Sequence, residues 1–223
     1  MESEQLVVEA RRGLGIRASE ILTHPVTNLA MGALVVLMHT SKLAQLFADS
    51  RIGIQHTGIF LNFCIISFYA LVRDVPRRVT LNPFNWALGA LSSFWGMVIT
   101  LYSSGGVAVA PSWVISTVSI GSLLVISFAR LSLGRSFGVV PAERKLVNRG
   151  AYRLVRHPIY TASALTMVPV LLSSWGLMQL LLVVTGVALM VWRAIEEERF
   201  LKQSPEYCAY AAEVRYRFIP GLV

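Results

Sequence analysis

The sequence predicts an all-α fold, a polytopic membrane bundle of about six apolar segments. Three observations predict it: apolar residues gathered in long blocks, few charges, and basic residues crowded at the block ends. Of 223 residues, 55% are hydrophobic and 14% charged, where a soluble globular domain carries about 25% charged residues. Blocks of about 20 residues match the thickness of a bilayer's hydrocarbon core. The length suits one bundle rather than two domains. A net charge of +8, from 20 basic and 12 acidic residues, would point to nucleic acid in a soluble chain. Here the basic residues flank apolar blocks, so membrane lipids and topology account for them and no nucleic-acid partner is expected.

Residues 1–25 form an N-terminal arm. It mixes Leu6, Val7, Val8, Leu14 and Ile16 with Arg11, Arg12 and Arg17. That pattern suits either a helix lying in the membrane interface or a solvated arm. It has no apolar core of the kind a signal peptide needs, so no cleaved leader is expected. Four transmembrane helices are expected within 26–131, over blocks 26–47, 52–72, 84–101 and 113–131. Two further blocks, 159–172 and 175–192, are separated only by Ser173 and Ser174. They read as a helical hairpin over 158–192, with Pro169 kinking its first arm. The hairpin and a polar tail make up a last region, 132–223.

Charge placement supports this path. The arm is basic, and Lys42 and Arg51 are offset by Asp49. The loop after the second block carries Arg73, Arg77 and Arg78, and 102–112 carries no basic residue. Loop 130–156 holds Arg130, Arg135, Arg144, Lys145, Arg149, Arg153 and Arg156, and the tail holds Arg193, Arg199, Lys202, Arg215 and Arg217. The positive-inside rule then puts both termini and the 130–156 loop in the cytosol. Only a hairpin that crosses twice brings that loop and the tail to one side.

Cys64 lies in an apolar block and Cys208 in the tail, which suits neither a disulfide framework nor a zinc site, and no metal is expected. His39, Gln55, His56 and Asn62 are polar residues inside blocks. They fit either a pathway or satisfied packing positions.

Two polar stretches bracket the hairpin. The first is Leu146-Val-Asn-Arg-Gly-Ala-Tyr-Arg-Leu-Val-Arg-His-Pro-Ile-Tyr160. Gly150 permits a tight turn. Pro158 suits a first helical turn, and His157 before it is pushed out of helical geometry. Arg156-His-Pro158 therefore reads as a helix start, with backbone N–H groups free to face an anion. Tyr152 and Tyr160 offer aromatic faces with a hydroxyl tip; an interfacial aromatic belt would look the same residue by residue. The second stretch, Arg193-Ala-Ile-Glu-Glu-Glu-Arg-Phe-Leu201, sets three carboxylates at the end of an apolar helix. They gain nothing from anionic lipid there. Either a cationic or hydroxyl-bearing ligand uses them, or they are a solvated tail.

Together these residues resemble the isoprenylcysteine carboxyl methyltransferase family and its phospholipid methyltransferase relatives. The likeness rests on Arg156-His-Pro-Ile-Tyr160, Leu146-Val147, Gly150-Ala-Tyr152 and Glu197-Glu198 followed by Leu201. Tyr207, Tyr210 and Arg217-Phe-Ile-Pro220 continue it. It covers about residues 130–223, with one departure: Ala162 stands where the family usually has glycine. The resemblance implies a membrane enzyme that uses S-adenosyl-L-methionine. It implies that Lys145, Leu146, Val147 and Tyr152 line the cofactor pocket, with His157, Pro158 and Tyr160 as the other wall. Glu197 would hold a polar group of the cofactor, Arg193 would face the acceptor, and Glu198 and Arg156 would support them. Arg156 as a lipid anchor is the alternative. The implied acceptor is a lipophilic or prenylated small molecule, methylated on a carboxylate. Location in a cell inner membrane or the endoplasmic reticulum is expected. Three other readings stand beside it: a methyltransferase acting on a phospholipid or another small lipophile at N, O or S; an NADPH-dependent enzyme like the membrane sterol reductases, which share an Arg-His-Pro-x-Tyr-like run; and a non-catalytic membrane protein.

Overall fold

The structure, a computed structural model, describes residues 54–102, 106–138 and 140–222. The N-terminal arm, the block at 26–47 and His39 lie outside the described residues. What is described is mostly helical, with one two-residue ribbon.

Helix α1 (Ile54–Val72) takes up the second apolar block. A loop carrying strand β1 (Arg78–Val79) leads to α2 (Pro83–Tyr102). Asn82 caps that helix, its side-chain oxygen accepting from the Phe84 N–H at 3.0 Å. Helix α3 (Ser112–Leu133) follows Pro111 and ends at Gly134, whose φ of 58° stops the helix. The polar loop then carries strand β2 (Ala142–Glu143), antiparallel to β1 with Arg78 opposite Glu143 and Val79 opposite Ala142. The ribbon ties the loop after α1 to the loop after α3.

The hairpin is present. Its first arm is α4 (Pro158–Leu165) followed by α5 (Val168–Ser173). The break falls at Thr166 and Met167, just before Pro169. Proline has no N–H to give the carbonyl of Leu165, and its ring crowds that carbonyl. The second arm, α6 (Leu177–Leu201), runs unbroken for 25 residues. A final short helix, α7 (Pro205–Glu213), packs its Tyr207 and Tyr210 under the tail.

Helices α3 and α6 are long and apolar enough to cross a membrane. At 1.5 Å per residue, the 22 residues of α3 span about 33 Å, close to a bilayer's hydrocarbon core. The membrane reading rests on these two helices.

Small residues allow the close contacts. Gly186 of α6 faces Trp95 of α2, and a β-carbon there would lie 2.6 Å from the indole Cδ1. The same indole donates Nε1–H to the Leu182 carbonyl at 2.8 Å. Ala162 is fully buried among Ile126, Ala129 and Ala151, so its methyl is accommodated by small neighbours on α3. At the uncharged end, Val107 and Trp175 pair backbone to backbone, 2.8 and 3.1 Å, joining the 102–112 loop to the hairpin tip. Cys64 and Cys208 are both free. Asn62 is buried with its Oδ1 unbonded among the described residues.

Gly150 adopts φ +55°, and a β-carbon there would collide with the Ser132 side chain. That hydroxyl accepts the Ala151 N–H at 3.2 Å. Gly150→Ala is expected to cost about 1–3 kcal/mol, through left-handed strain and the displaced hydroxyl. The check is the thermal midpoint in detergent; an unshifted midpoint would refute this account of the turn.

Candidate functional site

The polar residues that the sequence singled out converge where the hairpin's two arms meet the tail. The centre is Glu198, near the end of α6 and 2% exposed. Its Oε1 accepts from Arg156 Nε at 2.8 Å and lies 3.3 Å from His157 Nε2. Its Oε2 accepts from Arg217 Nε at 3.1 Å and lies 3.6 Å from Lys202 Nζ. One carboxylate thus joins α6, the start of α4 and the tail.

Arg156 completes that join. Its Nη1 donates to the carbonyls of Val214 and Arg215, each at 2.8 Å. The Arg156 side chain is 9% exposed. It is therefore a buried strut, and the alternative of an anchor reaching to lipid headgroups is overturned. The free N–H groups expected at this helix start are also occupied. Arg156 N–H donates to Tyr216 O at 2.9 Å and His157 N–H to Arg217 O at 2.8 Å. The tail supplies the acceptors that an anion would have supplied. His157 packs between Tyr160 and Phe218, with ring centroids 5.4 and 5.9 Å away. Pro158 is buried as the first residue of α4.

Glu197 is half-buried, and its Oε2 accepts from the Tyr160 hydroxyl at 2.5 Å. Arg193 lies over the ring of the same tyrosine, its guanidinium carbon 5.3 Å from the ring centroid. Arg193 is buried in α6 and reaches across to α2, donating to Ser93 Oγ at 2.9 Å and Ser92 Oγ at 3.1 Å. It also reaches the Gly138 carbonyl at 3.4 Å. Glu196, by contrast, pairs with the exposed Arg199 on its own helix. Successive residues on a helix turn by about 100°, and that rotation sends the three neighbouring carboxylates to three different surroundings.

Leu146 packs on the cluster of Tyr207, Tyr210 and Val214. Lys145 is exposed and Val147 half-buried, and the Lys145 carbonyl accepts from Ser136 Oγ at 2.8 Å. Tyr152 presents its carbonyl to the Tyr210 hydroxyl, 2.8 Å. Its own phenol is pushed well above the ordinary tyrosine range by burial, then by Glu197 and Tyr160. Burial, with Glu198 and Glu197 nearby, pushes Tyr207 up as well. The Tyr207 hydroxyl is buried with no hydrogen-bond partner among the described residues.

Sequence reasoning passed over Ser92, Ser93 and Arg144. The two serines are the one polar pair inside block 84–101 apart from its first turn, a signal that they bond something across the bundle. An open depression lined by Phe68, Tyr69, Val72, Gly134, Arg135 and Arg149 shares none of the candidate site residues. Among the described residues, no three His, Cys, Asp or Glu side chains gather as a metal site would.

Fold and site together define a helical membrane protein with a buried polar site at the mouth of a helical hairpin. Residues 113–204 match the family model described as phospholipid methyltransferase. Over these residues, less than half of the chain, it is similar to that family of methyltransferases, as its motifs are similar to those of the isoprenylcysteine carboxyl methyltransferases. The match runs from α3 through both arms of the hairpin and stops at Ser204, before α7. No curated protein matches the chain.

Glu198→Gln is expected to cost about 3–5 kcal/mol, because it leaves the buried Arg156 without its counter-charge. Glu196→Gln should change stability by under about 0.5 kcal/mol, as for a surface pair. Thermal unfolding in detergent compares them, and equal midpoints would remove Glu198 as the joint.

Proposed function

We propose that the protein is an S-adenosyl-L-methionine-dependent integral membrane methyltransferase acting on a lipophilic acceptor, by carboxyl O-methylation of an isoprenylcysteine-like substrate. The observation that carries this reading is Glu197, a carboxylate held by Tyr160 beside Tyr152, at the end of a helix apolar enough to cross a membrane. A carboxylate so placed suits a ligand that brings hydroxyl or ammonium groups. The surrounding residues fit the methyl donor by their chemistry: Glu197 for such groups, Tyr152 and Tyr160 as aromatic faces, and Leu146 and Val147 as an apolar wall. The unpartnered Tyr207 hydroxyl adds an unused donor close by.

When bound, S-adenosyl-L-methionine supplies an electrophilic methyl group on a sulfonium. A carboxylate acceptor arrives deprotonated at neutral pH, so the protein need not remove a proton. His157 accordingly acts as a wall: it is stacked against Tyr160 and held to Glu198. What remains for the protein is placement and exclusion of water. Arg193, braced by Ser92 and Ser93, holds the Tyr160 ring from behind and sets a positive charge toward the acceptor. The lipophilic part of the acceptor enters sideways from the bilayer.

The family description favours a second reading, methylation of a phospholipid or another small lipophile on N, O or S. A phospholipid amine must lose a proton first, and the one histidine of this cluster among the described residues, His157, is held to Glu198. We place the site on the cytosolic face of a cell inner membrane or the endoplasmic reticulum, from the basic loop and tail.

Purified protein should be stabilised by S-adenosylmethionine and S-adenosylhomocysteine and not by NADPH; stabilisation by NADPH alone would replace this reading with the reductase one. Glu197→Gln should weaken cofactor binding by about 1.5–3 kcal/mol, as for a charged hydrogen bond, and Glu196→Gln should leave it unchanged. Arg193→Ala should reduce turnover more than cofactor affinity, with some loss of stability from its released serines. Calorimetry on the three variants tests this, and equal damage from both glutamate changes would disprove the assigned helix phase.

Arg149→Cys and Gln203→Cys, each in a Cys64→Ser, Cys208→Ser background, should label from the same side of sealed vesicles. Opposite sidedness would break the hairpin and the site together.

A further inference from the structure

The segment that follows β2 carries a half-buried arginine, Arg144, with a buried, unused edge. Glu143 accepts from Arg78 Nε at 2.6 Å, across the ribbon. The guanidinium of the next residue, Arg144, lies against Gly138. A β-carbon at Gly138 would collide with it, so glycine is what lets the arginine in. Both Nε and Nη2 of Arg144 are buried and have no hydrogen-bond partner among the described residues. These two donors share one edge of the guanidinium, the edge that grips the two oxygens of a carboxylate or phosphate as a fork.

Packing alone does not explain this arrangement, since buried donors left unbonded cost free energy. Nor do the nearby carboxylates use the fork. Asp74 is engaged by Arg135 at 2.9 Å, and Glu197 accepts from Tyr160. Both still act on Arg144 through space, as does Arg73 with the opposite sign, and burial lowers its pKa to about 10. It therefore stays charged at neutral pH. Arg193 reaches the carbonyl of the same Gly138, so Arg144 borders the cluster of Glu197, Tyr160 and Arg193.

We propose that Arg144 is the oxyanion-binding residue of this site, its Nε–Nη2 edge taking the carboxylate of a reactant. The inference rests on the methyltransferase reading above for the identity of the reactants. The carboxylate belongs either to the lipophilic acceptor or to the amino-acid part of the methyl donor, and the two sources are separable.

The test is affinity, measured by calorimetry on purified protein in detergent. S-adenosylhomocysteine carries the donor's carboxylate and 5′-methylthioadenosine lacks it. N-acetyl-S-farnesylcysteine carries an acceptor carboxylate and its carboxamide lacks the charge. Arg144→Gln and Arg144→Lys should each lose about 10- to 100-fold for one carboxylate probe, the loss expected of a charged hydrogen bond. Its uncharged mate should be unaffected. Loss confined to S-adenosylhomocysteine assigns the fork to the donor, and loss confined to the farnesyl acid assigns it to the acceptor. Unchanged affinity for both acids overturns the proposal. Wild-type protein that binds neither nucleoside overturns the methyltransferase reading instead, and the farnesyl pair then decides Arg144 by itself. Arg144→Met should unfold no earlier than wild type in the absence of ligand. An earlier unfolding, with charged and uncharged probes weakened alike, makes the arginine structural and overturns the proposal.

Discussion

A single buried carboxylate, Glu198, holds the working end of the molecule together. Taking a charge out of water costs several kcal/mol, and only well-formed ion pairs and hydrogen bonds offset that. Arg156, His157, Arg217 and Lys202 surround it. They come from the loop that leads into α4, from the tail, and from the end of α6. Because all converge on one group, none of these segments can shift without exposing a buried charge to an apolar neighbourhood. Arg156 extends the constraint by binding the tail's carbonyls.

Fixing Glu198 fixes its neighbours. The rotation of α6 about its axis is set by the buried carboxylate, so Glu197 turns to Tyr160 and Glu196 turns to Arg199 at the surface. Arg193, one turn earlier, then faces α2 and its paired serines. This contact carries the site beyond the segment that matches the family, which begins only at residue 113. Helix α2 contributes the Ser92 and Ser93 hydroxyls and the Gly89 carbonyl to the arginine's surroundings.

The two ends of the bundle are held by different physics. At the uncharged end, backbone groups near Val107 and Trp175 satisfy one another, and the Ser174 hydroxyl takes the Gly106 N–H at 3.2 Å. At the other end, charges and aromatic rings do the joining. Unpaired polar backbone is costly wherever water is excluded, so the paired backbone at the uncharged end and the buried ion pairs at the other each satisfy the polar groups that their end carries.

Local features of the sequence determined much of this. Block lengths, Pro158 and Pro169 marked where helices begin or break, because a missing N–H and a fixed φ act at the residue itself. The hairpin followed from the short Ser173–Ser174 gap, and its motifs from residue types at fixed spacing. The clustering of Glu197, Tyr160, His157 and Arg193 was legible through the family likeness. The likeness gave Glu197 and Glu198 different roles, but it did not show that Glu198 is the buried joint of four partners, which the packing of α6 sets. The same holds for Arg156, which reads as a surface cation and proves to be a strut, and for the α4 start, whose N–H groups are taken by tail carbonyls some 60 residues later. Such pairings join residues far apart in the chain, so no local pattern encodes them. Tertiary packing alone decided them, by bringing the tail back across the hairpin and burying one carboxylate among its partners.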